Sequence, residues 1–97
     1  MNSVQPPITP QATVVRALNL IATDLDDETI LMSVEQGSYY GMEATARRIW
    51  ELIETPTSVA DLIDLLSQEY NVTPDICGPD IIAYLEELNA EGLIVVS

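Results

Sequence analysis

Between Ile30 and Glu54 the hydrophobic period of the chain switches from two to 3.6, with only a few residues left for connections. Ile30, Met32 and Val34 alternate with Leu31, Ser33 and Glu35, which is the repeat of a β-strand. Gln36-Gly37 follows, and a glycine takes φ > 0 without strain. The strand is therefore expected to return through a tight or bulged hairpin as Ser38-Tyr39-Tyr40-Gly41-Met42. From Ala44 onward, Ala46, Ile49, Trp50 and Ile53 fall at i, i+3, i+4 and i+7, the spacing of one helix face. A short antiparallel sheet thus feeds directly into an amphipathic helix.

The flanking segments extend this unit in both directions. Val14 to Leu25 alternates loosely through Leu18, Leu20 and Ala22 and is expected to be the first strand, closed by a charged turn at Asp26-Asp27-Glu28. Before it, Pro6, Pro7 and Pro10 oppose both helix and ladder, so residues 1–13 are expected to form a flexible arm and residues 14–97 a single domain. Ser58 followed by Asp61 imitates a capping box. Behind it, Val59, Leu62, Ile63, Leu66 and Tyr70 lie on one stripe, predicting a second helix over 59–70. Thr73-Pro74 starts a third, and Gly78-Pro79 is expected to interrupt it so that its main part begins at Pro79. Its stripe is Ile81, Tyr84, Leu85 and Leu88, Gly92 suits the left-handed residue that ends it, and Leu93 to Val96 is a short β-type tail. The fold class that follows is α+β: a small winged helix-turn-helix-like domain with a three-stranded antiparallel sheet followed by three helices.

Several runs resemble one known family in their order and spacing: Leu31-Met-Ser-Val-Glu-Gln-Gly-Ser-Tyr-Tyr40, Arg48-Ile-Trp-Glu-Leu-Ile53, Pro56-Thr-Ser-Val-Ala-Asp-Leu62, Glu69-Tyr-Asn-Val72 and Tyr84-Leu-Glu-Glu-Leu-Asn-Ala-Glu-Gly-Leu-Ile94. It is the PqqD-like peptide chaperones, the elements that recognise precursors of ribosomally made, post-translationally modified peptides. The chain looks most similar to the free-standing leader-binding proteins of lasso-peptide biosynthesis. Met42-Glu43 departs from the Leu-Asn-like capping pair usual before the first helix, which weakens the cap expected there. The resemblance implies a non-catalytic protein that binds the leader segment of a precursor by β-strand addition and presents it to a processing enzyme such as a leader peptidase. The leader would pair with the edge strand Ser38, Tyr39, Tyr40, Gly41 and Met42, with apolar side chains facing Ile81, Ile82, Tyr84, Leu85 and Leu88 of the third helix. One stripe has to serve both core and groove, so Ile81, Leu85 and Leu88 belong to either, while Ile82 and Tyr84 at its flanks are the better contact candidates.

Charge and residue inventory narrow the function from another side. Ninety-seven residues with 47% apolar content suffice for one small core. Three cationic side chains against 16 acidic ones give a formal charge of −13, and there is no lysine. Nucleic acids and anionic membranes draw cationic partners, so neither is expected to bind. The acidity instead favours a peptide whose apolar anchors are flanked by Lys or Arg. No apolar run approaches the ~20 residues of a bilayer span, and no signal-like N-terminus is visible; a cytoplasmic location is expected. With no His, no Lys and one Cys, a nucleophile would find no conventional base, so no enzyme activity, cofactor or metal site is expected. Cys77 is read as a packing residue, and Trp50, between Ile49 and Ile53, as core. Tyr39 and Tyr40, as strand neighbours, point to opposite faces, so one of them is available to a ligand. The rival reading is an acidic adaptor binding a folded partner, with a winged-helix DNA-binding protein further behind.

Overall fold

Two three-stranded antiparallel sheets stand where one was expected. The computed structural model describes residues 7–18, 20–34 and 37–97. In chain order the elements are β1 Thr13–Arg16, β2 Leu20–Leu25, β3 Glu28–Ser33, β4 Ser38–Glu43, α1 Thr45–Leu52, β5 Thr57–Ser58, α2 Val59–Glu69, α3 Pro74–Ala90 and β6 Ile94–Val96. The expected first strand over 14–25 is corrected to β1 and β2, which belong to different sheets, ordered β5-β1-β6 and β2-β3-β4. The division is imposed from a distance. Val14 pairs with Thr57 on one side and Val96 on the other, and past β1 the Ala17 amide donates to the Leu93 carbonyl at 3.0 Å.

The β2-β3-β4 sheet is a meander whose two hairpins carry their turn chemistry in the sequence. Asp26 takes φ 55° in the two-residue turn between Leu25 and Glu28, as primed hairpin turns require. Gly37 takes φ 66°, and its N–H donates to the Ser33 carbonyl at 2.8 Å. The register stacks Ala22, Leu31 and Tyr40 in one row and Ile21, Met32 and Tyr39 in the next, on the opposite face. Alternation in β3 is as expected, yet the face turned to the helices carries Thr29, Leu31 and Ser33, all buried, whereas Ile30 and Met32 lie on the half-open outer face.

All three helices pack on a core that includes Val14, Leu31, Met42, Ile49, Leu62 and Leu85. Ser58 caps α2 by accepting from the Asp61 amide at 3.1 Å, and Val59, Leu62, Ile63 and Leu66 are buried as the stripe demanded. Tyr70 departs from that stripe: it is the C-cap of α2 and is exposed. The expected break at Gly78-Pro79 is corrected too, because α3 runs unbroken through Pro79. Proline removes one amide from the ladder, yet the first turns stay in line with the rest of α3, with Gly78 buried beside Ile63. At the other end, Gly92 at φ 75° closes a Schellman motif. Its N–H donates to Asn89, the Leu93 N–H donates to Leu88, and Leu88 and Leu93 are both buried.

Of the arm expected over 1–13, residues 1–6 lie outside the described residues, and the remainder is docked. Ile8 is 5% exposed and its amide donates to a Glu86 carboxylate oxygen at 3.2 Å. The carbonyls of Pro10 and Ala12 accept from Ala60 and Val59, taking up two first-turn amides of α2 that no intrahelical partner could satisfy.

The weak cap on α1 is visible in the backbone. Ala44, its N-cap, offers no side-chain hydrogen bond and sits at φ 53°, ψ −122°, the first central position of a type II′ turn, where glycine is at ease and alanine is not. Such strain costs about 1–3 kcal/mol, and glycine returns part of the relief as unfolded-state entropy. Ala44→Gly is therefore expected to raise stability by about 1 kcal/mol, which thermal denaturation should read as a melting temperature higher by roughly 4–8 °C.

Candidate functional site

β4 is hydrogen-bonded to β3 on one side only, which makes it an edge of its sheet. Beyond that edge lies α3. The cleft between them has a volume of about 560 Å³ and is lined by Tyr39, Tyr40, Gly41, Met42, Tyr84, Leu88 and Leu93, with Glu87 and Glu91 at its margin. A second, smaller pocket of about 230 Å³ opens between α1 and α3, among Thr45, Ala46, Ile49, Asp80 and Ile81. Tyr84 borders both, so the two form an apolar track divided by one phenol ring. Partial burial pushes the Tyr84 hydroxyl above its ordinary pKa, with Glu87 adding to the shift, so it stays a neutral donor.

The two neighbouring tyrosines divide as strand geometry requires. Tyr39 is 71% exposed on the outer face. Tyr40, on the inner face, spans the cleft and donates its hydroxyl to Glu91 at the end of α3; that bond raises the Tyr40 pKa. Met42 lies beneath them, buried. Gly41 belongs to the outer face, where Glu28 and Ile30 side chains fold over it: a Cβ there would meet Glu28 Oε2 at 3.1 Å.

The ten residues singled out in the sequence are not all at this cleft. Tyr39, Tyr40, Gly41, Met42, Tyr84 and Leu88 line it, Ile81 lines the smaller pocket, and Ser38 starts the edge strand. Leu85 is 0% exposed and lines neither cavity, so it is core. Ile82 lies on the other side of α3, in a groove against α2, because two positions before Tyr84 on a helix is a turn of about 200°. Leu93 and the acidic pair Glu87 and Glu91 were missed. Leu93 was legible in principle, since a glycine-ended helix brings the residue after the glycine back against the last turn, beside Leu88.

Each of the three guanidinium groups is engaged within the domain. Arg16 stacks 4.8 Å from the Trp50 ring centroid, donates from Nε to the Trp50 carbonyl and lies 3.9 Å from Glu54. Arg47 lies 3.9 Å from Asp24, whose Oδ1 also accepts from the Thr29 hydroxyl. Arg48 ties α1 to α2 by donating from Nε and Nη2 to the two oxygens of Glu69, at 2.9 and 2.8 Å, and from Nη1 to Glu51. These bonds hold the Glu69 carboxyl below its usual pKa. The Trp50 side chain is buried, as its place on the α1 stripe implied. Among the described residues no group of His, Cys, Asp and Glu is arranged to hold a metal ion, and no helix is long and apolar enough to cross a membrane.

Comparison with known proteins adds two findings. The family model for coenzyme PQQ synthesis protein D (PqqD) matches residues 28–94, the stretch that contains β3, β4 and the three helices. The solved structure of TbiB1 in complex with the TbiA(beta) leader peptide superposes with a TM-score of 0.76 at 26% identity, covering 82% of this chain and 93% of that one. No match was found among the curated proteins.

Proposed function

Since the chain belongs to the PqqD family, on a match that spans residues 28–94, we propose that it is a non-catalytic chaperone for a ribosomally made precursor peptide. It binds the leader by adding it as a strand to β4 and presents it to a processing enzyme, a leader peptidase in lasso-peptide biosynthesis. The observation that carries this reading is the unpaired edge of β4 lying beside an apolar cleft that α3 closes. An open edge supplies main-chain donors and acceptors, which give affinity without regard to sequence. Pockets beside it accept alternate side chains, which gives selectivity.

TbiB1, similar in fold and at 26% identity, is solved with a leader peptide bound, and this supports the same class of ligand here. Tyr84 divides the track into two pockets, so the leader would place one apolar side chain on each side of that ring. The Glu87, Glu91 and Asp80 carboxylates at the margins favour Lys or Arg beside those anchors. A DNA-binding role is disfavoured by the guanidinium groups, all three of which are held within the domain next to carboxylates.

Hydrogen exchange tests the strand-addition step. Adding the leader of the precursor encoded alongside this chain should slow exchange at amides within Ser38–Met42 and leave α2 unchanged. Protection confined to the helices, with β4 exchanging as before, would refute strand addition.

A further inference from the structure

On the side of α3 away from β4 lies a groove of about 900 Å³, between α2 and α3. Its apolar lining includes Ile63, Ile82 and Gly78, with Ala83 exposed beside them and Pro10 of the docked N-terminal stretch also at its wall. Its margin carries Asp61, Asp64, Asp75 and Glu86. None of these four is within ion-pair distance of an arginine, because Arg16, Arg47 and Arg48 are held by other carboxylates, and the chain has no lysine. An apolar trough is thus rimmed by carboxylates that none of the three arginines neutralises.

We propose that this groove is a second docking site, which takes an amphipathic segment of a partner protein whose apolar anchors are flanked by Lys or Arg. The rim charge selects the sign of the occupant. A second copy of this chain, itself at −13, would add like charge at the contact. Sites for small molecules use buried polar groups that converge on the ligand, whereas here the polar atoms are exposed carboxylates along the margin. The remaining fit is a helix or extended segment laid into an apolar groove with its cations at the rim. Because Tyr84 and Ile82 lie on different sides of α3, both sites can be filled at once, one by the leader and one by the partner. The proposal rests on the leader reading only for the partner's identity, the enzyme that takes over the leader.

The test is amide mapping of the ¹⁵N-labelled chain titrated with a synthetic peptide of leucines and alanines flanked by lysines. A control peptide carries glutamates in place of the lysines, and another keeps the lysines but has no leucines. The lysine-leucine peptide is expected to shift Ala60, Ile63, Gly78 and Ala83, and both controls to fail. Ala83→Arg, at an exposed position, should weaken that binding about tenfold while binding the leader as the unsubstituted chain does. Shifts confined to β4 and Tyr84, or equal binding of the leucine-free peptide, would overturn the proposal. So would the same amides responding only to removal of residues 1–6, or to protein concentration, since the groove would then belong to the chain itself or to a second copy. Loss of leader binding with an intact response at Ala83 would count against the function proposed above and leave the groove standing.

Discussion

Tyr84→Ala weakens leader binding by at least about tenfold, equivalent to 1.4 kcal/mol, while the domain stays folded. The ring borders both pockets of the track, so truncation removes a wall from each at once. It is half-buried and belongs to the edge of the α3 stripe, so the core behind it, centred on Leu85, keeps its packing. Ile82→Ala is the matched control, since it shares the helix but faces α2, and it should leave leader affinity within a factor of about two, the size of a typical surface effect. Isothermal titration with the leader, alongside circular dichroism, separates the outcomes. If Ile82→Ala lost affinity and Tyr84→Ala did not, the leader would have to lie on the α2 side of α3, and the β4 cleft would be the wrong site.

The second large effect is on stability and tests which face of the sheet is inside. Leu31→Ala is expected to cost about 2–5 kcal/mol, the range for deleting a fully buried leucine side chain. Stability for a domain of this kind is about 5–15 kcal/mol, so the variant would lose a large fraction of it. Met32→Ala, one residue on and facing out, should cost less, because that side chain is only partly withdrawn from water. Urea denaturation of the two variants reads the difference directly. A larger loss for Met32 than for Leu31 would mean that β3 is paired in a register shifted by one residue, which exchanges every side chain between faces.

Local signals in the sequence were sufficient for some elements and insufficient for others, for identifiable reasons. The hairpin at Gly37, the Ser58 cap, the Thr73-Pro74 start and the Gly92 stop each depend on residues within a few positions, and each element stands where those residues put it. The split between β1 and β2 has no such marker. Neither proline nor glycine lies between Arg16 and Leu20, and the break is set by β5 and β6, whose residues lie forty and more positions further along. The proline at 79 gave a local signal for a break that α3, packed on the core through Ile81, Leu85 and Leu88, does not follow. At the candidate site, strand alternation separated Tyr39 from Tyr40 correctly, but helical spacing alone could not say which neighbour each flank of α3 would face. That is why Tyr84 and Ile82, treated alike from the sequence, are now on different sides of α3.

An unpaired β4 is also a template for the wrong guest. The same row of amides and carbonyls that suits a leader suits the β4 of another copy, and nothing in main-chain geometry distinguishes them. Opposing such pairing at ordinary ionic strength is the long-range repulsion expected between bodies that each carry a formal charge of −13. That protection is colloidal rather than structural, and its range shrinks from about 10 Å at 0.1 M salt to about 3 Å at 1 M. A leader added to β4, as proposed, would cover that edge and make the repulsion unnecessary. Concentrated salt and an empty cleft are therefore the combination under which this domain is expected to be most exposed to edge-to-edge association, and a leader paired with β4 would act as a solubilising agent for its own carrier.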